Sequence, residues 1–241
     1  MAAEGSSTTA IVSPLKLPLS DKVVDLKAFC QILASTQARE KALKFIQYTA
    51  KLLAYFLLKG AGNAPDLGAH FKQLAKNLSM ARRCLKFIRW FKHFEDIADA
   101  KAERDPSFQS WLYLDVVVNV VADVTEDVMT LEKVGFIKKG ILPKRMEMIT
   151  AWCQLKLAVV EIVVTHVKAK RAQDKASLAG ASLEVKRKSI LTYMDLSKYY
   201  ADLIKAFWDC ELSFSSELAY CLSGMWAGLC GAHKYSLKVV K

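Results

Sequence analysis

Apolar positions along the chain recur mainly in steps of three and four, the spacing that lines one face of an α-helix. Ser20 can cap a first helix whose apolar residues Val23, Val24, Leu26, Phe29, Ile32 and Leu33 run to about Ala34. Thr36 caps a second, in which Ala42, Leu43, Phe45, Ile46, Leu52, Leu53, Phe56 and Leu57 cover most of the circumference until Gly60 supplies a stop. After a turn over Gly60–Pro65, a third and longer helix is predicted from Asp66 toward Ala102, ending before Asp105 and Pro106. The segment from Phe108 to Ile137 contains Val116, Val117, Val118, Val120 and Val121, which by residue type alone fit a buried strand. The spacing of Asp115, Asp123 and Asp127, continued by Leu131 and Val134, favours a helix. Gly135 and Gly140 mark a break. Met148–Val167 is a further apolar segment, Lys168–Lys188 a polar, basic connector, Ser189–Trp208 an amphipathic helix, and Leu212–Ala232 an apolar segment with one charge, Glu217.

The pattern divides the chain into a flexible tail (1–20), an N-terminal helical region (21–105), an apolar helical region (106–167), the connector (168–188) and a C-terminal region (189–241). The expected fold is all-α: a membrane-associated helical bundle with an N-terminal basic amphipathic helix and a C-terminal membrane segment. Crossing a bilayer takes about 20 predominantly apolar residues, and a central charge costs about 2.5–3.5 kcal/mol. By that test Leu212–Ala232 is the best span, Met148–Val167 is borderline, and Trp111–Leu131 is burdened by Asp115, Asp123, Glu126 and Asp127.

Composition sharpens this picture. Only 10 Gly and 5 Pro occur in 241 residues, so turns are few and a sandwich or barrel of short strands is disfavoured. With 53% apolar residues and a mean hydropathy of +0.15, the bulk of the chain is not disordered. The net charge is nevertheless +11. High apolarity and excess positive charge are satisfied together at an anionic membrane surface, with nucleic acid as the competing partner. The six cysteines are scattered without a C-x-x-C pair, which indicates neither a zinc site nor a disulfide framework and fits a reducing compartment. Met1–Ser20 lacks the charged and apolar regions of a secretory signal, and the last residues match no peroxisomal or endoplasmic-reticulum address.

The third helix carries the strongest signal. Leu67, Phe71, Leu74, Leu78, Ala81, Leu85 and Ile88 line one face. Between Asp66 and Glu95 there is no acidic residue, whereas Lys72, Lys76, Arg82, Arg83, Lys86, Arg89 and Lys92 are present, and Phe87, Trp90, Phe91 and Phe94 widen the apolar arc. An apolar face with aromatics beside a uniformly basic face describes a helix lying in a bilayer interface. The plainer alternative is a core-packing helix with a solvated basic side. Nucleic-acid binding has weak support, because the aromatics accompany no recognisable RNA- or DNA-binding motif.

Gly224-Met-Trp-Ala-Gly228, followed by Gly231, places small residues where two helices can approach closely, either in lipid or in a tightly packed soluble core. Catalytic spacing is absent: His70, His93, His166 and His233 are isolated, and Gly60-Ala-Gly62 leads to no phosphate-loop lysine. Asp123, Glu126 and Asp127 have the composition of a cation site but are more often one solvated helix face. The reading is therefore of a non-enzyme without metal or cofactor.

From Ser35 to Leu237 the order of these pieces resembles the peroxin-eleven family of peroxisomal membrane proteins. Thr36-Gln-Ala-Arg-Glu-Lys-Ala-Leu-Lys-Phe-Ile-Gln-Tyr is similar to that family's N-terminal signature, and Leu78-Ser-Met-Ala-Arg-Arg-Cys-Leu-Lys-Phe-Ile-Arg-Trp to its basic amphipathic helix. Leu131-Glu-Lys-Val-Gly resembles the turn after an apolar helix, and Leu222–Gly231 the C-terminal membrane segment. The resemblance implies a protein of the peroxisomal membrane that elongates and proliferates peroxisomes. It would insert its amphipathic helix into the cytosolic leaflet, self-associate and help recruit the fission machinery. Expected membrane-binding residues are Leu67, Phe71, Lys72, Leu74, Lys76, Leu78, Arg82, Arg83, Leu85, Lys86, Ile88, Arg89 and Trp90, with Gly224, Gly228 and Gly231 packing helices. A peroxisomal metabolite pore and a soluble adaptor with an acidic partner are the alternatives.

Overall fold

The computed structural model describes residues 15–16, 23–24, 30–32, 34–59, 64–143, 145–178 and 182–239. The architecture is all-α. Its main helices are α1 (Thr36–Lys59), α2 (Pro65–Lys86), α3 (His93–Ala102), α4 (Pro106–Lys133), α5 (Met146–Ser177), α6 (Leu183–Asp209) and α7 (Glu217–Val239), with a 3₁₀ turn over Arg89–Lys92 between α2 and α3. Leu15–Lys16 and Val23–Val24 form a two-residue antiparallel pairing ahead of them in the chain. Val23 and Val24, expected to open a helix from Ser20 to Ala34, lie in this pairing instead; the rest of that helix falls largely outside the described residues, as do most of the 1–20 tail and the turn at 60–63.

Local chemistry explains most helix ends. Pro65 and Pro106 occupy first-turn positions, where a missing N–H costs nothing. Asp105 caps α4 by accepting from the backbone N–H of Ser107 and Phe108, and Ser182 caps α6 through the N–H of Val185. Gly135 and Gly140, with φ of 86° and 89°, make the reversal between α4 and α5 in backbone conformations that other residues rarely adopt.

Two expected boundaries need correction. The single helix from Asp66 to Ala102 breaks at Phe87–Ile88, where Ile88 takes a left-handed conformation (φ 64°) and its N–H donates to Asp127 Oδ2 at 2.9 Å. A carboxylate 39 positions away thus replaces the partner that an unbroken helix would have supplied. The 168–188 connector is helical through Ser177 and again from Leu183. Ala169, Lys170, Arg171, Ala172 and Gln173 are good helix formers, and Ala169 is buried.

The helices form a ring. α1 packs between α2 and α7, α6 between α7 and α5, α4 follows α5, and a narrower contact of α2 with α4 closes the circuit. The ring surrounds a cavity of about 560 Å³ lined by residues of its six helices and by His93 and Asp96 of α3. Charged side chains face this interior: Glu40 and Lys44 on α1 line it and are buried, and Glu126 on α4 lines it half-buried. Conversely, apolar side chains face outward. Ile46, Leu53 and Phe56 are exposed on α1, Trp111, Leu114, Val117 and Val121 on α4, and Leu222, Trp226 and Leu229 on α7. A soluble bundle puts these classes the other way round, and an extended exposed apolar surface marks a protein or membrane contact.

Among the described helices, α5 alone is long and apolar enough to cross a bilayer, with a mean hydropathy of 1.6 in its most apolar 18-residue window, of which 28% is buried. Leu212–Ala232, expected as the best span, does not meet that test: residues 212–216 precede the helix, and α7 mixes its apolar residues with three glycines, Ser223, His233 and Lys234.

Candidate membrane-engaging surface

The sequence-predicted basic amphipathic helix divides its residues between two environments. Leu67, Leu74, Ile88, Lys72 and Lys76 are exposed on α2 and its C-terminal extension, joined by Phe87, Phe91 and Phe94 around the 3₁₀ turn. Trp90 and Phe91 stack with ring centroids 3.9 Å apart, and Phe94 lies within about 6 Å of both, giving a compact aromatic cluster at the break. Phe71, Leu78, Leu85 and Arg83 are half-buried, and Gly68 and Ala75 face α1 or the interior as buried positions.

The remaining cations turn into the ring. Arg82 reaches Glu40 of α1, with Nη2 2.9 Å and Nε 3.1 Å from Oε1, and also donates to Gln47. Lys86 Nζ lies 3.1 Å from Glu126 Oε2, and Arg89 Nη2 3.1 Å from Asp123 Oδ1. His93 completes the row, its Nε2 3.0 Å from Asp123 and its Nδ1 3.1 Å from Asp96. The α2 break is thereby clasped to α1 and α4 by Glu40, Asp123, Glu126 and Asp127. Sequence spacing read the last three acids as a solvated face. Their partners lie 30–40 positions away, beyond the reach of any local pattern.

The electrostatics follow from this pairing. Burial opposes ionisation of Glu40, but Lys41, Lys86 and Arg82 together hold its carboxyl well below the usual range. Against the same burial, Lys86 and Arg83 pull Glu126 down to about 2. The hydrogen bond to Asp123, with a second to Asp96, raises His93 above its ordinary value despite partial burial. Only the protonated ring donates from both nitrogens, so this geometry fits imidazolium.

The three glycines pack helices within the chain. A Cβ on Gly228 would stand 2.7 Å from Phe45 N and 2.8 Å from Phe45 Cα, while one on Gly224 would enter the Tyr48 ring and one on Gly231 would meet the Lys41 stem at 2.9 Å. Their face is filled by α1, which sequence alone had no means to specify. No cluster of three or more His, Cys, Asp or Glu side chains suited to a metal occurs among the described residues.

The sequence model of the peroxisomal biogenesis factor 11 (PEX11) family matches residues 26–233, and the chain belongs to that family. The match spans α1 to α7 almost entirely and places the chain with peroxisomal proteins of organelle proliferation and division, a family of biogenesis factors and not of enzymes. No curated protein and no solved structure matches the chain at a significant level.

Proposed function

We propose that this chain elongates the peroxisomal membrane by seating the outer edge of α2 and the following aromatic turn in the cytosolic leaflet, with α5 as the spanning helix. The observation that carries the reading is the exposed edge itself, Leu67, Leu74, Phe87, Ile88, Phe91 and Phe94 beside exposed Lys72, Lys76 and Lys92. Each lysine near an anionic surface contributes about 1 kcal/mol. Each large apolar side chain transferred from water contributes up to about 1.5–3 kcal/mol. The apolar part acts as a wedge in one leaflet, and the charges favour the anionic side. In this reading Arg82, Lys86 and Arg89 fix the orientation of the edge through their carboxylate partners, while the outward residues meet lipid. Self-association and recruitment of fission machinery would follow once wedges are concentrated on one membrane.

The test is electron microscopy and co-sedimentation of the full chain with vesicles containing phosphatidylserine. Replacing Leu74, Phe91 and Phe94 by serine leaves the charge intact, so weak binding should persist while tubulation is lost. Lys72→Glu with Lys76→Glu should weaken binding, most at low salt. Unaltered tubulation by the serine variant overturns the proposal.

The ring enclosing a charged cavity favours a second reading, a pore for polar metabolites in the same membrane. Conductance across planar bilayers separates the two.

A further inference from the structure

The central cavity holds a charge imbalance that the membrane surface does not use. Twelve Lys or Arg side chains line it against eight Asp or Glu; with Lys92 assigned to the outer edge and Arg89 paired by Asp123 just behind the lining, an excess of two positive charges remains in a space of about 560 Å³. The imbalance is concentrated where α1, α2 and α6 meet. There a single buried carboxylate, Glu40, serves two cations, Lys41 at 2.8 Å and Arg82 at 2.9 Å. Lys44 is taken by Asp202 at 2.6 Å and Lys86 by Glu126. Lys198 makes no ion pair within 4 Å among the described residues; its Nζ lies 3.8 Å from the Tyr199 ring centroid, and it shares Asp202 with Lys44 only at longer range.

Uncompensated cations in a confined space are costly, because each is partly stripped of water and repels its neighbours. Lys41 registers this: burial, with the nearby amines of Lys44, Lys86 and Lys198, pushes its amine down to about 7 even though Glu40 opposes the shift. A multiply charged anion would relieve the repulsion, and the volume lies within the roughly 300–1,000 Å³ of small-molecule sites. The groups also match phosphate: lysines as compact point charges, and an arginine capable of paired donation to two oxygens.

We propose that the interior of the ring, at Lys41, Arg82, Lys86 and Lys198, binds a multiply charged anion bearing phosphate groups. The inference rests on the cavity and holds whether or not the ring conducts or the α2 edge bends membranes. Isothermal titration of the full chain with inorganic pyrophosphate tests it, in nanodiscs of phosphatidylcholine alone and with added phosphatidic acid. Saturable binding is expected, weakened about 10-fold or more by Lys198→Gln and by Lys41→Gln, the loss of one charge-assisted hydrogen bond. Lys198→Arg should retain it, and Lys186→Gln, on the exposed side of α6, should leave it unchanged.

Lys198→Gln removes no ion pair, so the wild-type helical circular dichroism spectrum should persist in that variant; if it is lost, the Lys198→Arg comparison still decides. Pyrophosphate binding that is equal in both nanodiscs supports a soluble ligand. Binding that phosphatidic acid suppresses in the wild type, with the suppression absent in Lys198→Gln, supports a lipid headgroup. Lack of saturable binding in both nanodiscs, or equal affinity in wild type, Lys198→Gln and Lys41→Gln, overturns the proposal.

Discussion

Replacing Gly228 by alanine adds one methyl group where α7 crosses α1. In the helix interior that exchange is worth about 0.5–1 kcal/mol in favour of alanine, because glycine loses more backbone freedom on folding. The added Cβ would, however, stand 2.7 Å from Phe45 N, 2.8 Å from Phe45 Cα and 3.1 Å from the Lys44 carbonyl carbon. Ordinary contacts between such atoms begin near 3.5 Å, so the helices must separate by roughly 0.7 Å or more. These are main-chain atoms and cannot rotate aside. Overpacking of this kind costs about 1–3 kcal/mol, with the backbone obstacle placing Gly228 toward the upper part of that range. The net destabilisation is then about 1–2 kcal/mol, or a fall in Tm of about 2–8 °C for a chain of this size. Thermal unfolding of the full chain in nonionic detergent, followed by circular dichroism, measures it. An unchanged or raised Tm would refute the intramolecular packing. Loss of cross-linked oligomers at an unchanged Tm would point instead to a glycine face shared between chains.

Other consequences of the clasp and the span are equally open to measurement. Glu40→Gln leaves Arg82 and Lys41 without their shared carboxylate, so stability should fall by about 3–5 kcal/mol, read from denaturant unfolding. Because His93 has a raised folded-state pKa, its contribution is complete below about pH 6.5 and is lost as pH rises through the folded value. Lys41, shifted downward, acts in the opposite sense over the alkaline range, so the quantity to read is the difference between wild type and His93→Gln. That difference should shrink from pH 6 to pH 8, and a flat difference would refute the pairing with Asp96 and Asp123. Val159→Lys with Val163→Lys places two charges near the middle of α5, at about 2.5–3.5 kcal/mol each on insertion scales, and should make the chain extractable by carbonate.

Local sequence determined the helices themselves. Steps of three and four, few glycines and prolines, and the Asp105-Pro106 stop are short-range signals, and each acts through atoms within one or two turns. The same periodicity picked out α2, the breaks at Gly135 and Gly140, and the small-residue row on α7, and the order of these pieces carried the family resemblance. What local spacing does not contain is the identity of the neighbour across a face. Arg82, Lys86 and Arg89 belong to one acid-free run, yet each meets a carboxylate 34–42 positions away, so only the tertiary structure turned them inward and left Lys72 and Lys76 outside. The break at Ile88 has the same origin, since its N–H is claimed by Asp127. Gly228 makes the point for packing: a glycine row says that something comes close, and the ring closure decided that it is Phe45 of the same chain. The charged cavity is the furthest from local reading, because its lining is gathered from seven helices and exists only once the ring has closed.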